Sequence, residues 1–151
     1  LQSIHDETAA YINRGHTRQQ FLDGYRSLRE ADGKIGICVH LILGLPGETD
    51  EMMLESVRRV AALHPDQVKI HLLHVLRGTD LEKDFLAGKF RCLELEEYGD
   101  WLERCLREVS PSVTVHRITG DGAKRDLVAP LWSADKKRVL NFLNKRLREA
   151  P

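Results

Sequence analysis

The stretch that decides the fold is residues 35–49, IGICVHLILGLPGET. Val39, Leu41 and Leu43 alternate with Cys38, His40 and Ile42, so the run is apolar on both faces, as in a parallel strand covered on both sides. Gly44-Leu45-Pro46-Gly47 then turns the chain. Pro46 fixes φ, and the glycines let the backbone approach a neighbour or a ligand. Thr49 is a good N-cap for the helix that follows, with Asp50 and Glu51 in its first turn. In α/β enzymes, a strand, glycine loop and helix in this order place ligands at the carboxyl ends of the strands.

Downstream, a helix is expected over 50–63, with Met53, Val57, Val60 and Ala61 inward, until His64-Pro65-Asp66 breaks it. A second buried strand follows over 67–76, QVKIHLLHVL. The connection has the length of a right-handed crossover. After Arg77-Gly78-Thr79 come a short helix over 80–86 and a loop at Ala87-Gly88-Lys89. An amphipathic helix over 95–109 sets Tyr98, Leu102 and Leu106 on one face, with Trp101 and Cys105 beside it. A third strand spans 113–118 and ends at Thr119-Gly120-Asp121-Gly122. Ser133 is expected to cap a last helix to 149, with Val139, Leu140, Leu143 and Leu147 inward. Its basic residues, Lys136, Lys137, Arg138, Lys145, Arg146 and Arg148, read as a solvated face, with RNA phosphate contact as the rival reading.

Upstream, residues 1–3 read as a strand tail and 5–13 as a short helix stopped near Gly15. Thr17 caps a helix to 31, with Phe21, Tyr25 and Leu28 sharing a face, and Asp32-Gly33 ends it. The alternation predicts an α/β fold, a parallel sheet with outer helices.

A chain of 151 residues can bury one domain core. Zero net charge gives no bulk attraction to nucleic acid or membrane, and no apolar run approaches the roughly 18 residues a membrane span needs. Cys38, Cys92 and Cys105 are too widely spaced for a disulfide framework or a metal site, which fits a reducing, cytoplasmic setting. The chain opens Leu-Gln-Ser without an initiator Met, and we read it as a fragment entering at the end of a strand. Strands that have lost neighbours expose edges, so self-association is expected.

Polar groups gather near the strand ends: Gln2 and Ser3, His40, His71 and His74, then His116 and Arg117. A lone histidine in an apolar strand is ordinarily a satisfied core residue; one from each of three strands favours a ligand. His71 and His74 are three apart, so strand alternation turns them to opposite faces, and Lys69 with His71 makes His71 the inward one. Arg14, in Asn13-Arg14-Gly15-His16, could meet a carboxylate or phosphate. Glu48 reads as a helix N-terminal charge.

Gln2-Ser3, Ile12-Asn13-Arg14-Gly15-His16, His40-Leu41-Ile42-Leu43-Gly44-Leu45-Pro46-Gly47-Glu48 and Lys69-Ile70-His71-Leu72-Leu73 resemble, in order and spacing, the second half of a radical S-adenosylmethionine (radical SAM) enzyme. Arg117-Ile118-Thr119-Gly120-Asp121 and Ala129-Pro130-Leu131-Trp132 extend the likeness to the YhcC/YtqA-like subfamily, relatives of the elongator catalytic subunit. The resemblance implies the C-terminal part of a partial (β/α)6 TIM-like barrel. It makes residues 1–151 the C-terminal portion of a radical SAM core domain, with the [4Fe-4S] cluster ligands upstream of Leu1. It implies reductive cleavage of S-adenosylmethionine to a 5′-deoxyadenosyl radical, an electron donor, and a tRNA wobble uridine as substrate. By the same resemblance Gln2, Ser3, Arg14, His40, Gly44, Leu45 and His71 are cofactor-binding positions. Gln2 and Arg14 match contacts to the ribose and methionine part, Gly44 and Leu45 the packing near the adenine, and His71 the strand framing its edge. His40 stands where another relative that the resemblance implies, oxygen-independent coproporphyrinogen oxidase, has an acidic, ribose-contacting residue. The chain has no three-cysteine cluster motif, so alone it is expected to be inactive and to bind S-adenosylmethionine poorly. Two other readings are a metal-dependent hydrolase half-barrel using His40, His71 and His116, and a non-catalytic α/β binding module.

Overall fold

In the computed structural model, residues 1–120 and 122–149 are described; Asp121 of the 117–121 run lies outside them. The chain begins with a parallel bridge between Gln2 and Leu41, then a short helix, α1 (Asp6–Tyr11). The second helix, α2 (Arg18–Ala31), starts in a capping box. Thr17 Oγ1 accepts from the Gln20 amide at 3.2 Å, and the Gln20 side-chain oxygen accepts from the Thr17 amide at 2.8 Å. Phe21 and Tyr25 pack inward as expected, but Leu28 is 45% exposed, because the helix runs past the edge of the core.

Strand β1 (Cys38–Leu43) feeds the glycine loop and α3 (Asp50–Ala61), whose cap is Thr49. Strand β2 (Gln67–Leu72) returns parallel to β1. The expected single strand over 67–76 is two strands. The chain leaves the sheet after Leu72, and β3 (Val75–Leu76) belongs to a second, antiparallel sheet. Helices α4 (Asp80–Leu86) and α5 (Leu95–Arg107) follow, close to the ranges expected for them. Strand β4 (Thr114–Arg117) lies parallel to β2 at the sheet's far edge, giving the order β1-β2-β4. Strand β5 (Leu127–Ala129), unforeseen in the sequence, pairs with β3. The last helix, α6 (Lys136–Glu149), begins later than expected. Ser133 lies in a preceding 3-10 turn, and it is the Asp135 carboxylate that accepts from the Arg138 amide, at 3.1 Å. Arg146 is not on the solvent side either, since it is ion-paired to Asp100 and Glu103 of α5.

The main core lies between the sheet and the helices. Val39, Leu41 and Leu43 of β1 and Val68, Ile70 and Leu72 of β2 meet Met53, Val57 and Val60 of α3, Tyr98 and Leu102 of α5, and Val139 and Leu143 of α6. Tyr98 is fully buried, and its hydroxyl donates to the Ile118 carbonyl at 2.8 Å. The opposite sheet face carries Cys38, His40, Ile42, Lys69 and His71, all half-buried or exposed. The expectation that β1 is covered on both sides is thus corrected: helices cover one face, and the other is a concave, partly open wall. A smaller second core joins Leu45, Leu73, Val75, Cys92 and Ala129. The fold is α/β, a parallel sheet with outer helices in the manner of a partial TIM-like barrel.

Candidate functional site

A cavity of about 600 Å³ opens at the carboxyl ends of β1 and β2, a size suited to a small-molecule ligand. Ile42 and Leu45 come from the end of β1 and the glycine loop. Lys69 and His71 come from β2, Leu73, His74 and Leu76 from the passage into the second sheet, and Gln2, Asn13, Arg14 and His16 from the N-terminal segment. Its apolar residues give a slot for a flat ring, and its polar groups fix orientation.

Gln2 is held in the left-handed region, at φ 63°. Its amide donates to the His40 carbonyl at 2.8 Å, and its carbonyl accepts from the Ile42 amide at 3.0 Å. Those bonds fix the backbone against β1. The side-chain Oε1 is buried and has no hydrogen-bond partner among the described residues. A buried acceptor left unpaired costs about 1–3 kcal/mol, so this oxygen calls for a donor from a ligand.

Arg14 explains how that backbone is kept. Its guanidinium is almost wholly buried. Nη1 donates to the carbonyls of Leu1, at 2.6 Å, and Ser3, which flank Gln2. Nε and Nη2 donate to the His16 carbonyl at 2.9 and 2.8 Å, and Nη2 reaches Asp6 at 3.5 Å. All five guanidinium N–H groups are thereby directed at this chain's own acceptors.

His71 Nδ1 lies 3.1 Å from the Leu72 carbonyl. A carbonyl can only accept, so Nδ1 carries the proton and Nε2 is the acceptor. Burial, above all, drives the ring pKa down to about 4; the nearby Lys69, His74 and His40 act in the same direction. The imidazole is therefore neutral near pH 7.

The structure does not bring every expected residue into the cavity. Ser3 is buried behind it, and its hydroxyl donates to Glu48. Burial pulls the Glu48 carboxyl above its ordinary range, against the bonds from Ser3 and Thr8. Glu48 thus ties the glycine loop to the strand tail, beyond the helix N-terminal role read from sequence. Gly44, at φ +79°, abuts Leu93, with any added Cβ 3.0 Å from that side chain. The close neighbour it permits is therefore Leu93 of the core. His40 is on the inner sheet face, exposed, one row from the cavity. His116 is exposed on the edge strand.

His74 was excluded by the alternation argument, yet it lines the cavity together with His71. The strand ends at Leu72, so the two-residue period no longer governs position 74. Its ring is seated against Gly120 and Gly122. A Cβ on Gly120 would fall 2.2 Å from the ring, and one on Gly122 would fall 3.0 Å away. Lys69, which the sequence reading placed on the face of His71 without assigning it to the site, lines the cavity as well, as do Asn13, His16, Leu73 and Leu76.

No group of three or more His, Cys, Asp or Glu placed to hold a metal ion occurs among the described residues. That disfavours the hydrolase reading. Cys38, Cys92 and Cys105 are free thiols in three separate places: half-buried on the inner face, in the second core and in the main core. Among the described residues, no helix is long and apolar enough to cross a membrane.

Residues 65–149 match the model of the Radical_SAM C-terminal domain, and residues 1–60 that of the Radical SAM superfamily. The chain is 40% identical over 147 residues to the Bacillus subtilis protein YtqA, covering 97% of this chain and 45% of that one. It is 34% identical over 149 residues to Escherichia coli YhcC, covering 99% and 48%. A solved structure of Methanocaldococcus infernus Elp3, lacking its N-terminus, superposes with a TM-score of 0.78 at 23% identity, over 96% of this chain and 34% of the other. The chain spans about half the length of the curated relatives it matches.

Proposed function

We propose a function from the premise that this chain belongs to the radical SAM superfamily, in its YhcC/YtqA-like branch. It forms the C-terminal portion of an enzyme core, and its cavity receives S-adenosylmethionine. The observation that carries this reading is the buried, unpartnered Gln2 Oε1 in a slot of ligand size. The residues present fit the adenosine part of the cofactor. Gln2 Oε1 accepts from a hydroxyl or ammonium, Ile42, Leu45 and Leu73 wall the ring, and neutral His71 offers an acceptor without adding positive charge beside a sulfonium. Arg14 acts through Gln2, by clamping the two flanking carbonyls. Ser3 and Gly44 support the wall from behind, and His40 extends it along β1. When bound, S-adenosylmethionine supplies the reductive cleavage chemistry of the superfamily.

The [4Fe-4S] cluster does not fit the described residues, whose cysteines do not converge. We therefore assign its ligands to another part of the full-length protein, together with the contact for an electron donor. The 151-residue chain alone is inactive on this reading. The substrate we infer is a tRNA wobble uridine, by kinship with the elongator-like branch, and the setting is the cytoplasm, in keeping with three free thiols.

The test uses a protein of the relatives' full length, purified without oxygen, reconstituted with iron and sulfide, and reduced in the presence of S-adenosylmethionine. 5′-Deoxyadenosine is expected. Gln2→Ala should raise the KM for S-adenosylmethionine roughly tenfold or more, the scale of one lost hydrogen bond to a charged group. No cluster and no cleavage would leave a likeness of fold alone.

A further inference from the structure

The outer face of α6 carries charge that neither the core nor the cavity uses. The helix, KKRVLNFLNKRLRE, holds six basic residues and one acidic residue. The whole chain has 23 of each sign, so its zero net charge conceals a basic helix on an otherwise acidic molecule. Val139, Leu143, Phe142 and Leu147 of α6 pack into the core. Lys137, Arg138, Asn141, Asn144, Lys145 and Arg148 are exposed. At 3.6 residues per turn these six share roughly a third of the helix circumference, opposite the apolar stripe. From Lys137 to Arg148 the stripe runs about 16 Å. A shallow recess of about 440 Å³ lies along it, lined by Asn141, Asn144, Lys145, Arg148 and Glu149.

A solvated helix face ordinarily neutralises its own cations, and the other long helices of this chain do so. Arg26 pairs with Asp23 on α2, Arg59 with Glu55 on α3 and Arg107 with Glu103 on α5. Arg146, beside the stripe, is held by Asp100 and Glu103. Lys137, Arg138, Lys145 and Arg148 form no ion pair with any described residue. Asp135, three residues before Arg138, accepts from the Arg138 amide. Glu149, four residues after Lys145, stands in the less favourable order for a helical pair. Four cations on one straight face without partners match a polyanion.

We propose that this stripe docks the phosphate backbone of a folded RNA. The two asparagines between the cations suit an RNA, since amides reach phosphate and sugar oxygens beside the charged contacts. A lipid surface would need apolar side chains to insert, and those of α6 are packed into the core. No residue of α6 lines the cavity, so the stripe holds the body of the RNA and takes no part in the chemistry. The inference rests on the RNA-substrate reading for its use and adds the surface that would hold that substrate.

The test needs neither cofactor nor cluster. The 151-residue chain is titrated into an unmodified, fluorescently labelled tRNA transcript at several salt concentrations, and anisotropy reports binding. Saturable binding is expected, with a slope of log K against log salt of about −3, the value for four phosphates. Lys137→Gln with Arg148→Gln should roughly halve the slope. Replacing all four cations by Gln should weaken binding at least about tenfold, while Lys137→Arg with Lys145→Arg should stay within about threefold. Arg59→Gln with Lys83→Gln, which removes two exposed cations already paired on α3 and α4, should bind like the parent. Circular dichroism of each variant reports that it is folded. Absence of saturable binding, or a salt slope that the double and fourfold Gln variants leave unchanged, overturns the proposal. Equal weakening by the α3 and α4 variant does so too, as does tighter binding to polyglutamate or to anionic phospholipid vesicles than to the RNA. The readings fail separately. Absence of 5′-deoxyadenosine from the full-length protein strikes the cofactor reading and leaves the surface untouched. An RNA that binds through the stripe yet is returned chemically unchanged by the active enzyme strikes the substrate reading alone.

Discussion

His71 turns burial into a pH dependence. Its folded pKa is about 4, against 6.5 for an unperturbed imidazole, so between those values the unfolded chain binds the extra proton. Its contribution to stability is complete above pH 6.5 and is lost as the pH falls toward 4. The size is on the order of 2 kcal/mol once partial exposure is allowed for. Urea midpoints measured from pH 7 to 4 should fall, and His71→Gln should flatten part of that slope. A variant with the parent's slope would show that other groups carry it. At this scale the sequence was partly legible. Gln2, Arg14, Leu45 and His71 were named and do line the cavity. What resisted reading was direction. Nothing in the letters says that the Ser3 hydroxyl turns to Glu48, or that Arg14 directs every donor at its own chain. Those depend on tertiary neighbours distant in sequence or on a left-handed backbone at a non-glycine.

Among the elements, α2 shows how a local signal becomes a stability term. Thr17→Ala removes the acceptor for the Gln20 amide and should cost about 1 kcal/mol, while Thr17→Ser should retain most of it. Denaturant unfolding of the three chains checks this; equal midpoints would mean that α2 is held by packing alone. Helices α3, α4 and α5 were foreseen because caps and 3.6-residue periodicity are local. The break between β2 and β3 was not. In residues 67–76, no glycine or proline marks the point where one sheet hands over to another, so ten extended residues read as one strand. Strand β5, of three residues, is too short to show any period. Its place is fixed by β3, which is far away in sequence.

At the scale of the whole molecule, an open sheet has consequences for association. Strand β4 is an edge, with Val115 39% exposed on it. We expect the 151-residue chain to associate through this edge as its concentration rises. Sedimentation velocity should show a concentration-dependent shift, and Val115→Lys should reduce it; a monomer at every concentration would count against the edge as a contact. The two cores point to a further property. The cavity floor is carried by the parallel sheet and its large helical core, whereas His74, Leu76 and Gly122 hang from the small β3–β5 ribbon and its own cluster. A two-stranded ribbon with few buried contacts opens at lower free energy than a sheet packed under four helices. Amide hydrogens of β3 and β5 should therefore exchange well before those of β1 and β2. The rim of the cavity can loosen to admit or release a molecule while its floor keeps its shape.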